Sequence, residues 1–311
     1  MDNLTHSLVG AVMGQAGLKR TTGLAMPALI IGANLPDVDA ACFFWLEGTE
    51  HLAFRRGITH GPPALVLLPL ILAGLLWAFD RWQTRRGTRP EARLPVRFGW
   101  LYAMAFIGCL SHPFFDWLNV YGIRLLEPFS SQWFYGDTLF IIDPWLWAVL
   151  IAGVWVSLRR EKAEAEWMRP AQVGIAAVLA YIGVNGAISW ADATTTRVSG
   201  ETAIASPVPL AFWERDMILG GPNNWSVRAD DRSFPPFRPI TDQHCAWPDF
   251  NAARRTNSQL DAFLFWSRAP FLTRAVDGSV VLRDARFTDP RVGDRFALAL
   301  PEVKCEELPR P

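Results

Sequence analysis

Four of the five histidines in the chain, His6, His51, His60 and His112, fall within its first 112 residues, and the aspartates of residues 1–143 include Asp2, Asp37, Asp39, Asp80, Asp116, Asp137 and Asp143. Mixed imidazole and carboxylate donors suit Zn²⁺ first, with Mn²⁺ and Fe²⁺ as alternatives. These residues sit in short motifs: Asp2-Asn3-Leu4-Thr5-His6, Asn34-Leu35-Pro36-Asp37-Val38-Asp39, Arg55-Arg56-Gly57-Ile58-Thr59-His60, His112-Pro113-Phe114-Phe115-Asp116, Gly136-Asp137 and Asp143-Pro144-Trp145. On a helix His112 and Asp116 share one face a turn apart, a spacing suited to two ligands of one ion. Asp37 and Asp39 follow a proline and offer several hard oxygens within a short span. No cysteine accompanies the cluster, which argues against a closed structural zinc site. The expected metal ligands are His6, Asp37, Asp39, His60, His112, Asp116 and Asp143. Asp143 before Pro144 reads equally as a helix N-cap with proline at the first helical position. His51 beside Glu50 reads as a surface residue.

A divalent ion with an open coordination position would lower the pKa of a water towards about 7 and ready it for attack on phosphorus or a carbonyl carbon. An uncoordinated member of the Asp37/Asp39 pair, or Asp137, could take the proton as general base. Arg55 and Arg56 precede His60 closely, and an arginine fork matches phosphate geometry. Arg56 is the expected phosphate-binding residue; anchoring a lipid headgroup is its equal alternative.

The elements that carry these residues are strongly apolar. Runs 62–79 and 98–115 have 18 uncharged residues each, 144–158 has 15 and 171–191 has 21. Crossing a hydrocarbon core of about 30 Å takes about 20 helical residues. Two further stretches, 3–18 and 21–36, have 16 uncharged residues each and suit short spans, half-inserted helices or a buried hairpin. Many of the 15 tryptophans lie near the ends of such runs, as an interfacial belt would place them. Asp2 stands where a signal peptide would carry basic residues, so a cleaved leader is not expected. Thirty basic residues balance thirty acidic ones, leaving no net field for nucleic acid, and none is expected as a partner.

Basic residues set the expected orientation. With the start outside, the inner loops hold Lys19, Arg20, Arg81, Arg85, Arg86, Arg89, Arg93, Arg97, Arg159, Arg160, Lys162 and Arg169, whereas the outer loops hold Arg55, Arg56 and Arg124. Positive residues stay cytoplasmic, so every His and Asp of the cluster, Asp80 excepted, falls at the outer face. The expected fold is an α-helical membrane domain of about four to six spans or half-spans over 1–191. A small β-rich extracytoplasmic domain over 192–311 follows, on a multi-pass inner-membrane protein. In that second part, 262–266, 271–276 and 279–283 read as β-like runs, and Asp277-Gly278 between the last two is a strong hairpin signal. Stretches 207–213 and 235–239 read as loops. His244 beside Cys245 reads as structural. Cys245 and Cys305 either pair in an oxidising compartment or stay as two thiols.

Together, Asp2-Asn3-x-Thr5-His6, Leu35-Pro36-Asp37-x-Asp39, Arg56-Gly57-x-Thr59-His60 and His112-x-x-x-Asp116 with Tyr121-Gly122 resemble a family of membrane-bound metal-dependent hydrolases, also described as LexA-binding, inner-membrane-associated hydrolases. The resemblance is close over roughly 1–160 and loose at Asp284-Ala285-Arg286-Phe287. The order of ligands also looks like the zinc-dependent phospholipase C and single-strand nuclease superfamily, helical proteins that hydrolyse phosphoesters on a three-metal cluster. That likeness carries ligand roles to His6, Asp37 or Asp39, His60, His112 and Asp116. Its later histidine ligands have no counterpart, since 117–190 contains no histidine, so the resemblance implies one or two metals here.

The function expected is a membrane-bound metal-dependent hydrolase of a phosphoester, with membrane lipids as surroundings and a lipid-linked phosphate as substrate. A non-catalytic envelope protein with a structural metal is the alternative. An ion or proton transporter is a weaker one, because its polar groups would spread through the bilayer depth and no inverted repeat is visible.

Overall fold

In the computed structural model, the structure describes residues 1–196, 200–221, 224–228, 237–241, 245–288 and 293–304. It divides into two compact units. The first holds Met1–Asp39, Arg56–Gly186 and Pro209–Phe212; the second holds Ala40–Arg55, Ala187–Val208 and the described part of Trp213–Pro311. The stretch 40–55, inside the apolar half of the sequence, therefore clusters with the C-terminal residues.

Helix α1 (Asn3–Gln15) starts at Asp2, whose carboxylate accepts from Thr5 N at 3.0 Å and Thr5 Oγ1 at 2.7 Å. This N-cap accounts for the Asp2-x-x-Thr5 motif. At 1.5 Å per residue α1 is only about 20 Å long, too short to cross a bilayer. Helix α2 (Ala25–Asn34) runs on as a 3₁₀ helix, Leu35–Phe44, where Pro36 breaks the α pattern. After the short α3 (Glu50–Phe54) come α4 (Pro62–Arg85), α5 (Phe98–Trp117), α6 (Pro144–Lys162) and α7 (Met168–Thr196). Among the described residues, four stretches are long and apolar enough to cross a membrane: Ala25–Phe44, α4, α5 and α7. The expected run 144–158 does form a helix, but Arg159, Arg160, Glu161 and Lys162 fill its last turn and α6 is not one of the four. Thr21 onward reaches that length only because the 3₁₀ segment extends α2. Lipid-side surfaces are visible on α4, where Val66, Leu67, Leu70, Ile71 and Leu75 are all exposed.

Two apolar cores hold the helices. Ala25, Ala28, Leu29, Leu72, Ala73, Leu101, Met104 and Ala105 join α2, α4 and α5. Met1, Val9, Val12, Phe115, Leu146, Leu150, Ala171 and Val178 join α1, α5, α6 and α7. The α2–α5 contact is backbone-close. A Cβ on Gly32 would lie 2.6 Å from Ala105 O, and one on Gly108 would lie 2.5 Å from Leu29 O, so only glycine permits this approach.

One end of the bundle collects the basic loops. Gly23 N donates to Pro95 O and Arg97 N to Thr22 Oγ1. Lys19 pairs with Glu161 and sits 4.2 Å from the Trp167 ring centre. At the other end, Trp147 Nε1 donates to Thr5 Oγ1 at 2.9 Å, and segment 136–139 pairs with 117–119 just past α5.

The second unit holds two antiparallel sheets. One has the order β1 (Thr202–Pro207), β2 (Arg215–Gly221), β3 (Asn224–Arg228), β4 (Phe237–Pro239). The other has β5 (Pro270–Arg274), β6 (Ser279–Asp284), β7 (Ala297–Lys304). The expected hairpin is β5–β6, with Leu272 opposite Leu282 and Gly278 at φ 81 in the turn. Ile204, Ile218, Trp225, Ala269, Phe271 and Ala285 form one apolar core of this unit, drawn from both sheets. Besides α8 (Phe250–Ala253), the stretch expected as a strand at 262–266 is helical, within α9 (Ser258–Trp266). Asn257 caps it by accepting from Leu260 N, and Leu260, Ala262, Phe263 and Trp266 are its buried residues, a helical spacing. Likewise 237–239, expected as loop, is edge strand β4. Cys42 and Cys109 are buried free thiols, and Cys245 is disulfide-bonded; Cys305 and His244 lie outside the described residues.

Candidate metal centre

All nine expected site residues belong to the first unit. Helix α1 supplies His6, the 3₁₀ extension of α2 supplies Asp37 and Asp39, a short 3₁₀ turn Ile58–His60 supplies His60, and the last turns of α5 supply His112 and Asp116. Asp37, His60, His112 and Asp116 each place one donor atom so that all four lie within 4.8 Å of one another. Nε2 of His60 and Nε2 of His112 each stand 3.5 Å from Asp116 Oδ2, and His112 Nε2 is 3.8 Å from Asp37 Oδ1. Donors held around one tetrahedral ion at 2.0–2.1 Å stand about 3.3 Å apart, so these separations fit a shared ion closely. Both histidines are fully buried and Asp116 is 1% exposed.

The hydrogen bonds behind the rings fix which nitrogen faces the cluster. Ala33 O can only accept, so His112 Nδ1 donates to it at 2.7 Å. The Thr59 hydroxyl gives its hydrogen to Asp39 Oδ2 at 3.2 Å and so accepts from His60 Nδ1 at 2.9 Å. Both rings therefore turn a lone pair on Nε2 inward, the tautomer a ligand needs. Those two Nε2 atoms are buried without a hydrogen-bond partner, an arrangement that is unfavourable unless something else engages them; Asp116 Oδ2, which they face, is met by the Arg56 guanidinium. Burial also holds the His60 imidazole below its ordinary titration range, which keeps it neutral. The donor set thus fits a divalent ion.

His6 extends the set. Its ring stacks on His112 with centroids 3.8 Å apart, and its Nε2 lies 3.4 Å from Asp116 Oδ1. The Met1 amine contacts the same oxygen. Asp116 accordingly presents one oxygen to His60 and His112 and the other to His6.

The remaining residues stand around this group. Asp39 Oδ2 accepts from Arg56 N at 2.8 Å and lies 3.6 Å from His60 Nδ1, behind the ring rather than in the four-atom cluster. Arg56, with φ 54, puts Nε 2.9 Å from Asp116 Oδ2 and its guanidinium 4.5 Å from the Tyr121 ring centre. Asp137, with φ 46, lies on segment 136–139 beside the end of α5. Asp143 serves as the cap of α6: Oδ1 accepts from Trp145 N and Leu146 N at 3.0 Å each, and Oδ2 accepts from Tyr181 OH. His51 bonds Gly48 O within the second unit. The residue missing from the sequence reading is Asn119, fully buried, with Oδ1 accepting from Arg56 Nη1 at 2.9 Å. Nothing in its sequence spacing marked it.

A sequence profile described as YdjM inner membrane protein matches residues 1–191. The chain is also similar to an uncharacterized protein, YfhP of Bacillus subtilis (strain 168), at 25% identity over 162 residues. That match covers 50% of this chain and 45% of YfhP, so the chain spans less than half of this relative's length. No solved structure matches the chain.

Proposed function

The chain belongs to the YdjM inner membrane protein family, and from that premise we propose a membrane-bound, metal-dependent hydrolase of a phosphoester. The observation that carries this is the convergence of His60 Nε2 and His112 Nε2, buried and without hydrogen bonds, on Asp116 Oδ2 and Asp37. Asp37, His60, His112 and Asp116 would hold a divalent ion, zinc first by its preference for nitrogen-rich sites; His6 and Asp116 Oδ1 would offer part of a second site. When bound, the ion supplies Lewis acidity and acidifies water near neutral pH. Asp39 orients His60 through Thr59, and Arg56 brings a positive charge to where phosphoryl oxygens would lie. Asp137, on the segment that pairs with residues 117–119 past the end of α5, would serve as the proton acceptor. The ligands lie at the bundle end opposite the basic loops, which favours the outer face and a substrate presented by the bilayer, such as a lipid-linked phosphate.

Complete burial of the three histidines favours one other reading, a structural ion that ties α1, α2 and α5 together. The two separate in one experiment on full-length protein in detergent: metal content by elemental analysis, and hydrolysis of generic phosphodiesters and monoesters with and without chelator. We expect wild-type protein to carry metal and to lose hydrolysis on chelation, and His112→Ala to lose both. Metal without hydrolysis supports the structural ion, and equal metal content in wild type and His112→Ala removes the site altogether.

A further inference from the structure

Asn119 has a donor that nothing in the structure engages. The side chain is fully buried, and its orientation is fixed by two donors, Arg56 Nη1 and Tyr121 N, each 2.9 Å from Oδ1. A carboxamide oxygen must face both of them, so Nδ2 cannot be exchanged with Oδ1 to improve the bonding. Nδ2 is then left buried with no acceptor. Arg56 links this amide to the ligand cluster, since its Nε is 2.9 Å from Asp116 Oδ2 while its Nη1 holds Asn119. A guanidinium and an amide with an unspent Nδ2 thus stand together beside the His/Asp cluster. Neighbouring lone pairs already have assigned partners: Asp39 takes Arg56 N and Thr59, and Gly122 O takes Arg56 Nη1. What the pair lacks is an acceptor brought from outside, and a tetrahedral oxyanion suits a charge beside a neutral double donor.

We propose that Asn119 is the anion-binding residue of this site, its Nδ2 donating to a non-bridging phosphoryl oxygen held next to Arg56. The proposal rests on the metal-hydrolase reading. It is tested by calorimetric titration of inorganic phosphate into zinc-loaded, full-length protein in detergent. Asn119→Asp keeps an oxygen for Arg56 and Tyr121 N but replaces the donor by an acceptor. Asn119→Ser removes Nδ2 and keeps a hydroxyl one bond nearer the backbone, so its single O–H falls short of the Nδ2 position. For either variant that melts like wild type, we expect unchanged zinc content and phosphate affinity at least tenfold weaker. Wild-type affinity in a folded, zinc-loaded variant overturns the proposal and leaves the metal reading intact, as does zinc-loaded wild type that binds no phosphate. Phosphate binding that is lost in the variants although wild type holds no zinc sustains the anion site and sinks the metal reading.

Discussion

Asp37 and Asp39 are separated by one residue and do different work. Asp37 turns Oδ1 toward His112 Nε2, whereas Asp39 sits behind His60, accepting from Arg56 N and Thr59 Oγ1. Partners of that kind fix ring orientation, and their loss costs roughly 10–100-fold in metal affinity. Asp39→Asn should therefore weaken zinc binding by about that factor without abolishing it. Asp143→Ala should leave zinc binding unchanged and lower stability by about 0.5–2 kcal/mol, the cost of a lost N-cap. Competitive zinc titration together with thermal melting of both variants checks the pair; loss of zinc from Asp143→Ala would return Asp143 to the ligand list. Residue type and motif spacing were enough to gather His6, Asp37, His60, His112 and Asp116 from sequence. They were not enough to divide a carboxylate that faces the cluster from one that stands behind it, because that depends on whether Thr59 or a neighbouring backbone N–H reaches the carboxylate first. Asn119 escaped for a related reason: a single asparagine carries no spacing signal until its neighbours are known.

At the scale of elements, the helices were legible wherever charge was absent, and the errors arose where local context outweighed hydrophobic pattern. The run 262–266 contains the aromatic residues that favour strands, yet the Asn257 cap and the buried spacing of Leu260, Phe263 and Trp266 make it helix α9. The Asp284-Ala285-Arg286-Phe287 motif acquires a structural role. Asp284 Oδ2 accepts from Ser267 Oγ, Arg268 N and Arg286 Nη2, and Oδ1 accepts from Arg286 Nε, locking the end of β6 to the chain that enters β5. Burial opposes ionisation of this carboxyl, but Arg286 and the hydrogen bonds outweigh it and hold it below its ordinary value of 3.8. A depressed carboxyl stabilises the fold above its unfolded pKa, and that contribution is lost as pH falls through the folded value. Asp284→Asn, which leaves Arg286 buried without its counter-charge, should cost about 3–5 kcal/mol at neutral pH. The gap to wild type should narrow as pH drops below about 3.8. Denaturant unfolding of both proteins at pH 7 and pH 3 checks it; a gap that is constant across that range would mean the ion pair contributes nothing.

For the whole molecule, the remaining question is which way the bundle faces, and the loops themselves supply the argument. Three basic segments distant in sequence, around residues 19–23, 93–97 and 159–167, touch one another at one end. At that same end Arg81, Arg86 and Arg159 lie 5.0, 5.0 and 4.3 Å from the ring centres of Trp77, Trp82 and Trp155. Amphipathic rings under cationic heads mark the membrane–water boundary, and lysine and arginine concentrate on the cytoplasmic side. This end is therefore expected to be cytoplasmic and the metal-ligand end extracytoplasmic. Helix α6 must cross for that to hold: its 19 residues span about 28 Å, and the charges of its last turn can extend to the headgroups. On that topology helix α7 would return outward, and the C-terminal residues are expected outside the cytoplasm. A reporter that is active only outside the cytoplasm, fused after residue 304, should be active, and one fused in the loop at 87–93 should be silent. The reverse pattern would turn the ligand cluster toward the cytoplasm, and a substrate offered by the outer leaflet could then no longer reach it.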